Sequence, residues 1–489
     1  MGQLLSTSRC TSHNQKVEVD FPDSSSEVTH YHRDEHLPSP ISSGDNLPIL
    51  KKAKGHYWYP VNGPKILDAC GGAGVACLGH GRKDIVKAAT KQMKAFQYAS
   101  YAHFKVDPVL ELSQFLIDST GGEMQKVYLM CSGSEATEAA IKLAIEYYQW
   151  INQPQRVNFI TRHDSYHGTT LGSLSVSGHH TRRLPFHSIL SSQNFHHILP
   201  FNPYRQQSAS ESLSEFITRK LVELETRFLS LGPETVAAVI LEPVVGAAMG
   251  CVPSPPSYLS GVRSLCDKYG ALLILDEVMC GMGRTGRLHA WQHQSEQDSS
   301  GNIAVPDLQT IAKSFAGGYM PASALLVSLK ITSVMNAQQR VFTHGHTYQN
   351  HPVVASVALA VQRTVQKQNL VANALKMGEL LGKRLKYELG NHQNVGDIRG
   401  RGLFWGIEFV KNKATKEPFD AAEGMAQKVW KVAMEEFRVL LYSGQGCAGR
   451  GRGDHVMIMP AYDIGEKEVG EIVRRLKGAV VRVFGEREA

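Results

Sequence analysis

The chain has 489 residues, 42% hydrophobic and 20% charged, the balance of a folded globular protein and not of a disordered or fibrous one. A formal charge of +7 is small for this length, and no basic run is interleaved with aromatic residues, which argues against a nucleic-acid partner. No apolar stretch approaches the ~18 residues that a membrane-spanning helix needs.

Residues 1–48 are polar and rich in Ser, His and Asp, with no periodic apolar pattern, and are expected to form a flexible extension. Met1, Gly2 and Ser6 fit the pattern for N-terminal myristoylation, and Cys10 stands close enough for a second acyl chain. Membrane association is expected only if that end is acylated. No apolar core of a secretory signal follows, so the expected location is cytoplasmic.

The run VYLM (127–130) leads into CSGSEATEAAIKLAIEYY, where Ser132, Gly133 and Ser134 make a small polar turn. Ala136, Ala139, Ala140, Leu143, Ala144 and Tyr147 then recur at helical spacing. Glycine lets a backbone approach a ligand closely, hydroxyls donate, and the free N–H groups of a first helical turn favour an anion, so this turn is a candidate phosphate cradle. The plainer reading is an ordinary helix start with Ser134 as its N-cap.

VNFI (157–160) runs on to Tyr166, His167 and Gly168, where an aromatic ring can stack on a flat heteroaromatic one. VAAVILEPVVG (236–246) carries Glu242 and Pro243 after its apolar run, and the apolar run of ALLILDEVMCGMGRTG (271–286) ends at Asp276. Residues 289–305 read as a polar loop. Lys313 follows the short run LQTIA, thirty-seven residues beyond Asp276.

Taken singly, a lysine is usually a solvated charge and an Asp-Glu pair usually a turn. Their order changes the reading. Ligands bind beyond the carboxyl ends of strands in open parallel sheets, and these motifs all stand at such ends, which describes one crevice. A lysine amine that forms an imine with an aldehyde cofactor, plus a carboxylate that keeps its pyridine ring protonated, is the minimum apparatus of pyridoxal 5'-phosphate chemistry. Lys313 and Asp276 are the candidates. The eight cysteines show no metal-ligand spacing and read as reduced core residues; His179-His180 and His196-His197 match no zinc pattern, so no metal is expected.

With SGSEATEAAIKLA, YHG, LEPVVG, LLILDEVMCGMGRTG, PDLQTIAKSFAGGYMP and HGHTYQNHP in place, the chain resembles the class III pyridoxal-phosphate-dependent aminotransferases of fold type I, from about residue 55 to its C-terminus. The resemblance implies an α/β fold with a large, mostly parallel-sheet cofactor domain at 96–345 and a smaller α+β domain built from 49–95 and 346–489. It implies a transaminase moving an amino group between an amine or amino-acid donor and an oxo-acid or carbonyl acceptor. Lys313 and Asp276 would be catalytic. Gly133 and Ser134 would hold the phosphate, Tyr166 and Val278 the two ring faces, with His167 and Glu242 beside them. Thr347 would reach the phosphate of a neighbouring subunit, which implies a homodimer with shared sites.

The departures matter as much. Relatives acting on amino acids carry an arginine where this chain has Met457, so Glu242 lacks its usual partner. A branch acting on ω-amino acids and amines carries a mobile arginine four residues before an Asp, the spacing of Arg450 from Asp454. Arg450 and Trp58 are therefore the candidate substrate residues. The unusual carboxylate end tilts the expected role towards specialised metabolite synthesis. An aminomutase, racemase or decarboxylase on the same scaffold, or a non-catalytic scaffold protein, are the alternatives.

Overall fold

Short runs of aliphatic residues, each followed by a helical segment, build a seven-stranded sheet. In the computed structural model, which describes residues 47–296 and 304–486, its strand order is 124–130, 323–328, 308–311, 272–276, 236–241, 158–162 and 195–198. Neighbours from 308–311 to 195–198 are parallel. Ser323–Ser328 runs antiparallel to both strands beside it. Six strands therefore end at one edge, and the seventh begins there.

Strands Val236–Leu241, Leu272–Asp276, Leu308–Ile311 and Ser323–Ser328 are buried at every residue. Helices cover both faces of the sheet, which is why these strands read as continuous apolar runs without alternation. On one side helix Gly133–Trp150 packs Ala136, Ala139, Ala140, Leu143, Ala144 and Tyr147 inward. On the other, Leu213–Leu231 and Pro256–Tyr269 supply Phe216, Leu224, Phe228, Tyr258 and Val262.

The cap of helix Gly133–Trp150 is Ser132, not Ser134. Ser132 is extended, its hydroxyl accepts from the Glu135 N–H at 3.3 Å, and the Glu135 carboxylate accepts from the Ser132 N–H at 2.8 Å. This reciprocal pairing satisfies the helix start and leaves the Ser134 hydroxyl for other work.

Two four-stranded sheets flank this one. Val395–Arg401, Phe404–Phe409, Asp454–Ile458 and Tyr442–Gln445 form an antiparallel sheet. Ile66–Asp68 pairs with Tyr57–Pro60 and, in parallel, with Val439–Leu440, so strands from both ends of the chain share one sheet. Leu67, Cys77, Leu78 and Ile85 accordingly sit in the same core as Val429, Val456, Ile472 and Leu476.

The expected polar loop at 289–305 begins otherwise: Ala290–Glu296 is a short 3-10 helix, and His289, Ala290 and Trp291 are buried. The cause is Glu277, whose carboxylate accepts the N–H groups of Ala290 at 2.6 Å and Trp291 at 2.8 Å. Ile49 onward is one compact unit. The acylation pattern at Gly2, Ser6 and Cys10 lies outside the described residues. Among the described residues no helix is long and apolar enough to cross a membrane.

Candidate active site

The strand ends enclose a cavity of about 290 Å³ lined by Lys313, Asp276, His167, Tyr166 and the Ser132–Ser134 turn. Lys313 opens a 3-10 turn two residues past strand Leu308–Ile311 and has φ +49°, a left-handed backbone that costs a lysine roughly 1–2 kcal/mol. The turn is held from outside. The Ser314 hydroxyl donates to the Gly74 carbonyl at 3.1 Å, and the Gln362 amide donates to the carbonyls of Ser314 and Phe315 at 3.1 and 2.7 Å. The Lys313 side chain is half-buried at the cavity wall. Burial pushes its amine below the usual lysine range, against the upward pull of Asp276 and Glu242, and favours the uncharged form that can attack a carbonyl.

Asp276 closes strand Leu272–Asp276 and is 4% exposed. Its Oδ2 meets the Nδ1 of His167 at 2.7 Å. Its Oδ1 accepts from the Val278 N–H at 3.0 Å and from the Thr310 hydroxyl at 3.3 Å. Asp276 and Thr310 face each other across the parallel strand pair, so sheet register fixes this contact. A carboxylate so held keeps its place where a ring nitrogen could meet it.

The phosphate turn fits an anion with close walls. A Cβ on Gly133 would stand 2.8 Å from Cγ1 of Val278, and one on Gly168 would stand 2.6 Å from the Ser134 hydroxyl and 2.5 Å from that of Ser173. Gly168 also has φ +141°. Neither position accepts a side chain. Ser134 Oγ accepts the Thr169 N–H at 3.0 Å, which leaves its proton free to donate, beside the first-turn N–H groups of helix Gly133–Trp150. Lysine, buried carboxylate, glycine-walled anion cradle and flanking Tyr166 and Val278 together suit a phosphorylated pyridine aldehyde.

Tyr166 is half-buried, and its segment is fastened by Glu242, whose carboxylate accepts the N–H groups of Tyr166 at 3.1 Å and Gly246 at 3.0 Å. Burial, and then the charge of Asp276, raise the Glu242 carboxyl above its ordinary range. The Met457 side chain is fully buried. The sequence reading missed Arg182. Its guanidinium, exposed and outside the cavity lining, lies 4.5 Å from the centroid of the Tyr166 ring, pairs with no carboxylate among the described residues, and adds to the downward push on Lys313.

Two expected residues, Trp58 and Arg450, are not brought to this cavity, and Thr347, expected at the phosphate of a neighbouring subunit, does not line it either. Thr347 is exposed, and its carbonyl accepts from the Tyr98 hydroxyl at 3.0 Å. Trp58 packs on His80 with ring centroids 4.0 Å apart and lines a smaller neighbouring cavity, which shares Val75 with the first. Arg450, at φ +52°, lines a third cavity beyond the segment carrying Tyr166, because its glycine-flanked loop turns it that way. Among the described residues one trio, Cys131, Glu135 and His346, could hold a metal ion. Glu135 is already engaged there by the N–H groups of Cys131 and Ser132.

A mostly parallel sheet with a lysine, an aspartate and an anion cradle at one edge defines a fold type I pyridoxal-phosphate enzyme. Residues 41–480 match the family model of aminotransferase class-III, and the chain belongs to that family. It is 46% identical to an aminotransferase of Gibberella zeae over 87% of this chain and 82% of that one. It is 34% identical to gamma aminobutyrate transaminase 3 of Solanum lycopersicum, over 87% of this chain and 79% of that one. Among solved structures it resembles the omega transaminase of Pseudomonas jessenii in complex with PMP, with TM-score 0.83, 30% identity and coverage of 92% and 98% of the two chains. This protein is thus a class III, pyridoxal-phosphate-dependent aminotransferase. Its substrates are an amine or amino-acid donor and an oxo-acid or carbonyl acceptor.

Proposed function

We propose that the protein transaminates substrates bearing a carboxylate, with Lys313 as the reacting amine and Arg182 as the group that meets the substrate acid. The observation that carries the role of Lys313 is the cavity it shares with Asp276, Tyr166 and Ser134; Arg182 stands outside that lining, against the Tyr166 ring. When bound, the cofactor supplies an electron sink for the carbanion formed at the amine-bearing carbon.

The chain's own groups do the rest. Lys313 Nζ binds the aldehyde at rest and, once displaced by the substrate amine, moves a proton to and from the amine-bearing carbon. Asp276, braced by His167, Thr310 and the Val278 N–H, holds a proton on the ring nitrogen. Ser134 and the adjoining helix N-terminus bind the phosphate, while Tyr166 and Val278 flank the ring and exclude water. Glu242 positions Tyr166 through the main chain.

Arg182 is favoured for the acid group by its place on the Tyr166 ring and its lack of a carboxylate partner among the described residues. A second reading has Arg450 swing in; positive φ at Gly449 and Gly451 on either side of it supports such a hinge. The names of relatives span both kinds of substrate, from gamma-aminobutyrate in Solanum lycopersicum to vanillin in Capsicum. We also assign a homodimer in which Thr347 of the partner subunit completes the phosphate site, a division into a 96–345 cofactor domain and a smaller domain from 49–95 and 346–489, and a cytoplasmic location. A donor and acceptor screen read by cofactor absorbance tests the substrate class. Equal efficiency on an ω-amino acid and on the same amine without its carboxylate would overturn it.

A further inference from the structure

Behind the segment that carries Tyr166, the cavity that Arg450 lines has a volume of about 730 Å³, and its lining includes none of Lys313, Asp276 and Ser134. Four arginines line it: Arg183 from 178–187, Arg205 from 199–206, and Arg450 and Arg452 from the loop after strand Tyr442–Gln445. His163, His180 and His187 stand among them, and Asp164 is the one carboxylate in the lining. Burial raises Asp164 to about 6, so near neutral pH it is largely ionised and offsets only one of these positive charges.

The arginines are unequally provided for. Arg205 is tied to the buried Glu408. Arg183, Arg450 and Arg452 pair with no carboxylate among the described residues. Arg183 is half-buried, and its only side-chain partner among the described residues is the Nε2 of His197 at 3.0 Å, a nitrogen that also lies 3.0 Å from the Ser177 carbonyl. One ring nitrogen cannot accept from Arg183 and donate to Ser177 in the same tautomer. Arg183 is thus short of an acceptor. Burial accordingly weighs against its charge with no acid to offset it.

Three guanidiniums brought together from two separate parts of the chain repel one another unless an anion joins them. The guanidinium fork matches phosphate oxygens two at a time. The space is that of a small-molecule site and larger than one inorganic phosphate fills. We infer that this cavity binds an organic phosphate bearing at least two negative charges, gripped by Arg183 and Arg452 with Arg450 at its rim, at a site separate from the cofactor.

The test is calorimetric titration of the cofactor-loaded enzyme with inorganic pyrophosphate and, separately, with adenosine diphosphate, at low and at moderate salt. Saturable binding of one probe per chain is expected, weakening as salt rises. It should fall at least tenfold in Arg452→Gln and Arg183→Gln, with the cofactor absorbance unchanged in every titration. Arg452 is exposed, so its variant, and Arg452→Glu beside it, keep the test decisive if Arg183→Gln does not fold. Three results overturn the assignment: no saturable binding of either probe, affinity unchanged in the Arg452 variants, or binding accompanied by loss of cofactor absorbance, which places the probe in the cofactor's own cradle.

Discussion

Nδ1 of His167 lies 2.7 Å from Oδ2 of Asp276, between two residues 109 positions apart, both buried at the end of the central strands. The contact makes His167 a positioning residue for the carboxylate. Asp276→Asn keeps the shape and removes the charge, so half-reaction rates should fall by several orders of magnitude while some cofactor stays bound. His167→Asn should cost less, about 10- to 150-fold for the loss of a hydrogen bond to a charged group worth about 1.5–3 kcal/mol. It should also shift the pH dependence of cofactor absorbance, which a purely structural role would leave in place. Stopped-flow half-reactions across pH measure both.

The anion cradle gives a test by rescue. Gly133→Ala puts a methyl group 2.8 Å from Val278 Cγ1 and should weaken cofactor affinity at least tenfold. Adding Val278→Ala removes the clash, and affinity should return most of the way, a coupling that only neighbours show. Equal affinity of Gly133→Ala and wild type, by equilibrium dialysis, would mean the turn does not approach the cofactor.

Recognition of the substrate acid separates two arginines. If Arg182 meets it, Arg182→Gln should lower kcat/KM for a carboxylate-bearing donor by about 10- to 150-fold, the range for a charged hydrogen bond, and spare the matched simple amine. A larger selective loss in Arg450→Gln than in Arg182→Gln would transfer the role to the mobile loop.

Stability should depend on pH through buried histidines. Burial holds His289 and His293 near 4, so the native state stays neutral there while the unfolded chain takes up protons below 6.5. Their stabilisation is complete above pH 6.5 and is lost as pH falls towards 4, roughly 3 kcal/mol for each. Glu277, raised by burial to about 7, works the other way: its contribution is lost as pH rises from 4.5 to 7. Two histidines outweigh one glutamate, so stability should fall on acidification below 6.5. His289→Gln should flatten that limb in urea unfolding measured from pH 4.5 to 7; an unchanged slope would remove His289 from the account.

Much of this was legible in the sequence because parallel strands buried on both faces must be apolar throughout, and their polar successors then stand out. Asp276, Glu242, Lys313, Tyr166 and the serine-glycine turn were all visible in this way. The rest depends on distance in the fold. Nothing local marks Arg182, whose place comes from 178–183 folding back over Tyr166. The burial of Trp291 depends on Glu277 fourteen residues earlier, and the Ser132 cap was hidden by the run Ser132, Gly133, Ser134, any of which could cap. Arg450 showed a spacing but not a direction, since a loop with glycine at 449, 451 and 453 can turn either way.

The central claim is that Lys313 is the amine that holds the cofactor. Borohydride reduction of the loaded enzyme, followed by proteolysis and mass spectrometry, tests it most directly, with Lys313→Ala as the companion sample. The account predicts one cofactor mass per chain on the peptide containing Lys313, and no covalent cofactor or turnover in Lys313→Ala. Label on a different lysine, or a Lys313→Ala enzyme that turns over near the wild-type rate, would contradict it.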